Sequence, residues 1–347
     1  MPPVKILIVD DSEVIRRLIS RVLGRYPGIR VVGTAGNGRE ALRKIQLLKP
    51  DVVTMDVEMP VMDGLTALRR IMRQNPLPVI MFSTLTATGA RATIEALAWG
   101  AFDFVKKPEE PAALEVMVKE LAGQIMSAAA VPAAKTARLP LVPRAPVPAA
   151  SCVTRGKTRL VVVGASTGGP AALHTVITGL PPDFPAAVVV VQHIPEGFSE
   201  PLAEHLARCS RLPVRHAASG DKVLPGQVLV APAGFDLSFR GRAGSAAVVL
   251  KRGPGPAAPG EFHPSVDGVM FSAAQVFGAG AMGVLMTGMG RDGARGMAEI
   301  RKRNGRTIAE AESTCIVFGM PKAAIDAGAA GAVVPLPKIA SEIVALL

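Results

Sequence analysis

Two α/β units in tandem, each built on a mainly parallel sheet, form the fold this sequence predicts, and three observations predict it. Short runs rich in Val and Ile alternate with stretches whose apolar residues recur at helical spacing, the pattern of a sheet covered on both faces. A proline- and alanine-rich segment near the middle interrupts that alternation. In both halves, chemically capable residues stand just past the ends of the Val/Ile runs, where an open parallel sheet places its ligand crevice. A chain of 347 residues suits two domains of ordinary size, and its 49% hydrophobic content supplies two cores.

The N-terminal residues Met-Pro-Pro-Val-Lys-Ile-Leu-Ile-Val-Asp enter a strand directly and show no signal-peptide cleavage pattern. Strands are expected over Lys5–Val9, Ile29–Thr34, Val52–Asp56, Val79–Phe82 and Asp103–Val105. Amphipathic helices are expected between them over Val14–Leu23, Glu40–Leu48 and Leu65–Met72. Asp10 and Asp11 end the first strand and Asp56 the third; Ser83 follows the fourth and Lys107-Pro108 the fifth. Three carboxylates converging on one crevice repel one another unless a cation neutralises them, and hard oxygen ligands beside a phosphate suit Mg²⁺. A lysine there can pair with a phosphoryl oxygen, and a serine hydroxyl can donate to another. Asp-Asp-Ser read alone is a helix cap, with Ser12 or Asp11 as N-cap. A cap does not explain an acid, a hydroxyl and a Lys-Pro at the remaining strand ends.

From Ala128 to Lys157 the chain reads AAAVPAAKTARLPLVPRAPVPAASCVTRGK. Pro132, Pro140, Pro143, Pro146 and Pro148 exclude a continuous helix and favour an extended, semi-rigid spacer. The expected division is a domain over 1–127, a linker over 128–157 and a second domain over 158–347.

The second half opens with a strand over Leu160–Val163, which runs through Gly164-Ala165-Ser166-Thr167-Gly168-Gly169-Pro170 into a helix over Ala171–Ile177. This is the Gly-x-Ser-x-Gly spacing of a nucleophile elbow. The serine then lies near a helix N-terminus whose N–H groups can hold an oxyanion, and the Thr167 N–H is the natural first donor. A dinucleotide-binding turn would want Gly at Ser166, and a P-loop would need Gly-Lys-Ser/Thr; a purely structural glycine turn stays open. The next strand, Val-Val-Val-Val-Gln, ends at His193, and the following Ile-Pro forces the chain to turn. His174 and His205 fall within helix-like runs and His216 in a strand-like segment, so these read as structural or surface residues. Asp292 closes the glycine-rich Thr287–Gly293, which implies close backbone approach. Asp236, after the strand Gln227–Val230, and Asp267 are rival acids. A serine, a histidine and an aspartate on one sheet edge are the parts of an activated nucleophile.

Residues 4–126 resemble a receiver domain of two-component signalling, on Asp10-Asp11-Ser12, the run Met55–Gly64, Ser83 and Lys106-Lys107-Pro108. The resemblance implies that Asp56 accepts a phosphoryl group from a histidine kinase. It also implies that Asp10, Asp11, Asp56 and the Glu58 carbonyl serve Mg²⁺, that Ser83 and Lys107 read the phosphoryl group, and that Phe104 takes the position of a switching aromatic. From about Arg159 to the C-terminus the chain resembles the catalytic domain of the chemotaxis protein-glutamate methylesterase family, CheB. The motifs that carry this are Val163–Pro170, Gln192-His193-Ile194-Pro195, Pro264-Ser265-Val266-Asp267, Leu285–Gly293 and Phe318-Gly319-Met320-Pro321. The implied architecture is a flavodoxin-like receiver followed by a doubly wound, mainly parallel α/β methylesterase domain. The resemblance makes Ser166, His193 and Asp292 the triad and sets Thr167 and Met289 beside the oxyanion. It implies demethylation of glutamyl methyl esters and deamidation of glutamines on methyl-accepting chemoreceptors, with no cofactor for the hydrolysis. It further implies inhibition by the receiver, relieved when Asp56 is phosphorylated. A receiver-controlled esterase of another sensory pathway and a non-catalytic response regulator are the competing readings. One departure is visible: His263 precedes Pro-Ser-Val-Asp where the family commonly has Arg, which weakens the expected grip on an acidic substrate. Glu310 and Ala311 stand where Gln-Asp is common.

Composition narrows the remaining classes. Cys152, Cys209 and Cys315 are odd in number and lack metal spacing, which argues against a disulfide framework or a zinc site. A net charge of +11 suggests acidic partners, but with one Tyr, one Trp and no basic tail it does not point to nucleic acid. No apolar run approaches the ~20 residues of a membrane span, so a cytosolic protein, not inserted in a membrane, is expected.

Overall fold

The computed structural model describes residues 2–84, 86–107, 114–131, 159–253 and 262–347. Pro108 and residues 132–157 of the proline-rich segment, Cys152 among them, lie outside the described residues. The chain forms two compact units that divide at residues 141 and 142.

The first unit alternates strand and helix: β1 (Val4–Val9), α1 (Glu13–Leu23), β2 (Ile29–Ala35), α2 (Gly38–Leu48), β3 (Val52–Asp56), α3 (Gly64–Gln74), β4 (Val79–Ser83), α4 (Ala87–Ala98), β5 (Asp103–Lys106) and α5 (Leu114–Ala129). The sheet order is β2-β1-β3-β4-β5, every pair parallel. Helices on both faces explain why Ile6–Val9, Val52–Asp56 and Val79–Ser83 are buried residue by residue rather than alternately. Three helices start on the caps their sequences carry: Ser12, Asn37 and Asp63 accept the N–H of Ile15, Glu40 and Thr66. Ser12 is therefore the cap of the first helix, and Asp10 and Asp11 stay on the sheet edge. α5 runs to Ala129, and its Ala128 is fully buried.

The second unit contains β6 (Leu160–Ala165), α6 (Gly169–Thr178), β7 (Ala187–Gln192), α7 (Ser199–Cys209), β8 (Val214–His216), β9 (Val228–Val230), β10 (Phe235–Arg240) and β11 (Ala247–Arg252). It continues with α8 (Val266–Phe277), β12 (Ala281–Leu285), α9 (Ala294–Lys302), β13 (Arg306–Glu310), α10 (Met320–Asp326), β14 (Ala332–Val334) and α11 (Leu336–Ala345). Seven strands form a parallel sheet in the order β14-β13-β12-β6-β7-β9-β8, while β10 and β11 pair antiparallel beside it. The chain goes from β6 to β7 on one side and later returns through β12 to the other. β6 is thus the topological switch point, where a crevice opens at the carboxyl ends of the strands. Gly164 lets α8 close on this edge, since a methyl group there would collide with Val266 at the start of α8.

Candidate active site and phosphoacceptor site

Register brings Ser166 and His193 of the second unit together. Ala165 of β6 lies opposite Gln192 of β7, so Ser166 and His193 leave adjacent strands side by side, with the His193 N–H bonded to the Ala165 carbonyl at 3.0 Å. Gln192 holds both turns, its Nε2 donating to the carbonyls of Ser166 and His193 at 2.9 Å each. On the other flank β12 feeds Asp292, whose Oδ2 lies 2.8 Å from His193 Nε2. The histidine side chain is 3% exposed and the aspartate 12%. With Nε2–H donated to Asp292, Nδ1 of His193 keeps its lone pair, and among the described residues no hydrogen bond occupies it.

Asp292 is fixed by the N-terminus of α8. Its Oδ1 accepts from Ser265 Oγ at 3.0 Å and the Asp267 N–H at 2.9 Å, and its Oδ2 from the Val266 N–H at 2.7 Å. Burial opposes the charged form, but the bonds from His193 and the Asp267 and Val266 amides win and hold the carboxyl below its ordinary range. Asp267 returns the favour. Its Oδ1 accepts the N–H of Gly293 and Gly296 at the start of α9, and its Oδ2 takes Arg295 Nε at 2.9 Å. The two acids thus cap each other's helix, which locks the Asp292 loop to α8.

The rival acids are thereby placed elsewhere. Asp267 faces α9, and Asp236 bonds His263 Nδ1 at 2.8 Å. His263 is therefore engaged with the start of β10, while its neighbour Phe262 stacks on the His193 ring, with centroids 3.7 Å apart and planes within 5°. That stacking covers one face of the His193 imidazole with an apolar surface.

The loop after β12 packs directly on Ser166. Ser166 N–H donates to Thr287 O, Thr287 Oγ1 donates to Thr167 O, and the Thr287 N–H ends on the buried Glu310 carboxylate. A Cβ on Gly288 would sit 2.7 Å from Ser166 Cβ and collide with Met320. Met289, next along, is 46% exposed. Gly288→Ala should push the serine out of line and lower kcat by ~10²-fold, as a misplacement of about 1 Å does, with a modest loss of Tm. A folded variant that turns over at the wild-type rate would show that this contact does not hold the serine.

In the first unit the strand ends converge as the parallel register demands. Lys107 Nζ lies 2.8 Å from Asp10 Oδ2 and 2.7 Å from Asp56 Oδ2. One carboxylate oxygen from each of Asp10, Asp11 and Asp56 lies within 4.8 Å of the others. Burial is the largest influence on Asp56 and, with Asp10 and Asp11 nearby, pushes its carboxyl up to about 6 against the pull of Lys107. Burial also works against the Lys107 ammonium, but its two carboxylates outweigh burial and raise its pKa. Three hard oxygen donors beside a lysine fit a divalent cation and a phosphoryl group. Ser83 ends β4 as expected, yet its Oγ is buried, accepts from Thr93 Oγ1 at 2.6 Å and lies 3.3 Å from Gly89 O. Phe104 is buried.

Comparison with known proteins agrees with both halves. The family model described as CheB methylesterase matches residues 161–343, and that of the response regulator receiver domain matches residues 6–119. A relative from Carboxydothermus hydrogenoformans, named protein-glutamate methylesterase/protein-glutamine glutaminase 1, is 48% identical over 98% of this chain and 98% of its own. The chain belongs to the CheB methylesterase family. A second relative, from Geobacillus kaustophilus and named protein-glutamate methylesterase/protein-glutamine glutaminase, is 44% identical over 100% of this chain and 99% of its own. The crystal structure of the Thermotoga maritima CheB methylesterase catalytic domain superposes with a TM-score of 0.52 at 39% identity, covering 55% of this chain and 99% of that one.

Within this methylesterase-family unit, several residues that matter to the geometry carry no sequence signal of their own. Ser265 and the paired amides of α8 become visible only once β12 and α8 meet. Gln192 is legible as the residue before the histidine, but not as the clamp on Ser166. Phe262 lies next to His263, the departure from the family pattern, and its stacking depends on a loop path that spacing does not reveal.

Proposed function

We propose that this chain is a phosphorylation-controlled serine hydrolase that demethylates glutamyl methyl esters, and deamidates glutamines, on chemoreceptors. The observation that carries the reading is the convergence of Ser166, His193 and Asp292 at the switch point, with His193 held by Asp292 at 2.8 Å. Asp292 fixes the imidazole with Nε2–H toward itself and stabilises the imidazolium that forms. Nδ1 then takes the Ser166 proton as Oγ attacks the ester carbonyl. The resulting oxyanion is met by N–H groups of Thr167 and Met289. The proton on Nδ1 passes to the leaving methoxide as the C–O bond breaks, releasing methanol. Water, deprotonated by the same nitrogen, hydrolyses the acyl-enzyme to glutamate. With a glutamine substrate ammonia leaves instead, and protonation of that poorer leaving group becomes decisive. Phe262 on the imidazole face keeps water from one side of the base.

Control belongs to the receiver. Asp10, Asp11 and Asp56, with the Glu58 carbonyl, would hold Mg²⁺, and Asp56 would accept the phosphoryl group from a histidine kinase. Bound Mg²⁺ supplies positive charge to the phosphoryl oxygens during transfer. Lys107 is already in place to pair with those oxygens, whereas Ser83 would have to exchange its Thr93 partner to reach them. The proposed division is a receiver that ends with α5 at Ala129, two residues later than the expected boundary because Ala128 is packed into the helix, then a proline-rich linker to 157 and a methylesterase domain over 158–347. Among the described residues no helix is long and apolar enough to cross a membrane, which suits an enzyme acting on receptors from the cytoplasm.

Methanol release from methylated receptor membranes tests the proposal. Full-length protein should gain activity with acetyl phosphate, and a fragment starting near Arg155 should exceed the unphosphorylated full-length enzyme and ignore the phosphodonor. No methanol from either form would overturn the hydrolase reading. Equal rates for the two would overturn control by the receiver alone.

A further inference from the structure

The helices that leave the two catalytic turns carry a second cluster of reactive side chains. α6 follows the Ser166 turn and α7 follows the His193 turn. His174 on α6 meets His205 on α7, their ring centroids 5.5 Å apart and tilted by 43°. Cys209, a free and exposed thiol, lies four residues beyond His205 and so on the same helix face. One donor atom from each of the three residues lies within 4.8 Å of the others. His205 is 9% exposed, and among the described residues its Nε2 is buried without a hydrogen-bond partner; so is Nδ1 of His174. Buried imidazole nitrogens normally find a partner, so two orphans on residues whose donor atoms come this close need an explanation.

We propose that His174, His205 and Cys209 form a zinc site. Two imidazoles and a thiolate are the donors Zn²⁺ takes in tetrahedral centres, and the solvent-facing position of Cys209 leaves a fourth place for water. Ligand atoms around such a centre stand roughly 3.3–3.8 Å apart, given bonds of about 2.0–2.3 Å. From a spread of 4.8 Å, side-chain rotation of about 1 Å closes the set. The sequence alone speaks against zinc because Cys209 has no partner at finger spacing. The missing ligand comes from another helix, 31 residues before His205 in the chain. A metal here would tie together the two helices that carry the nucleophile and base turns.

The test uses untagged full-length protein, reduced, in Mg²⁺ sufficient to fill the carboxylate trio of the receiver. Zn²⁺ titrated against a chelator should bind at one equivalent and, at 100-fold over its Kd, raise Tm by about 5 °C or more. Co²⁺ should produce a thiolate-to-metal charge-transfer absorption. Cys209→Ser, at an exposed helix end that tolerates the change, should abolish that absorption and weaken Zn²⁺ binding by ~100-fold or more, since loss of even an outer-shell partner costs 10–100-fold. His174→Gln should weaken it likewise, with esterase activity in the absence of metal unchanged in both variants. No stoichiometric Zn²⁺ binding would overturn the proposal and leave a packed histidine pair. A cobalt–thiolate band that survives Cys209→Ser would also overturn it, by assigning the metal to another cysteine.

Discussion

Ser166→Ala is expected to lower methyl-ester turnover by ~10⁴-fold or more while the protein stays folded. The substitution removes a hydroxyl from a half-buried turn and leaves the backbone bonds that shape it, Ser166 N–H to Thr287 O and Gly169 N–H to Ser166 O, in place. What remains is substrate binding and whatever the oxyanion donors contribute without a covalent step. His193→Ala should cost about as much, because the members of such a triad act as a unit. Asp292→Asn should cost somewhat less in turnover. It also breaks a carboxylate that accepts from Ser265, Val266, Asp267 and His193, so its melting temperature should fall where that of Ser166→Ala does not. Methanol release and thermal melting on the same preparations separate the two effects. A Ser166→Ala protein with near wild-type turnover would end the triad mechanism. An Asp236→Asn protein as inactive as the serine variant would show that the wrong acid has been assigned.

Asp56→Asn is expected to abolish phosphoryl acceptance altogether, from a histidine kinase and from acetyl phosphate alike. In the proposed reading the carboxylate is both the nucleophile and a metal ligand, and an amide replaces it poorly in either role. Lys107 would lose one of its two anionic partners and keep Asp10 at 2.8 Å, so the site should stay assembled and the fold intact. Removing Mg²⁺ from the wild-type protein should have the same outcome by another route, because the acids would again face a phosphoryl group uncompensated. Intact-mass spectra read both experiments directly. Stoichiometric phosphorylation of the Asn variant would place the acceptor elsewhere in the chain.

Much of this fold is legible in the order of residues along the chain. The strands of the first half emerge within a residue or two of the Val- and Ile-rich runs that encode them, because a strand buried on both faces must be apolar at every position. Ser166 and His193 directly follow β6 and β7 because the same runs stop where the chain turns, and Asp292 closes the glycine-rich loop that follows β12. Less visible is the choice among acids. Asp236, Asp267 and Asp292 are alike as sequence, and only the meeting of α8 with the loop after β12 sends Asp292 to His193, Asp267 to α9 and Asp236 to His263.

The sequence by itself determined the alternation of elements, the sheet edge on which the chemistry lies and the residue types available there. All of these depend on neighbours within a few positions, through strand and helix periodicity, capping and turn residues. The tertiary structure alone decided which nitrogen of the His193 ring meets the acid, that Ser83 rests on Thr93 rather than on Asp56, and that two helical histidines and a surface cysteine bring donor atoms within 4.8 Å of one another. The first two pairings join residues 99 and 10 positions apart. Their geometry is set by strand register and by how closely helices seat on the sheet, quantities that no local pattern of residues encodes.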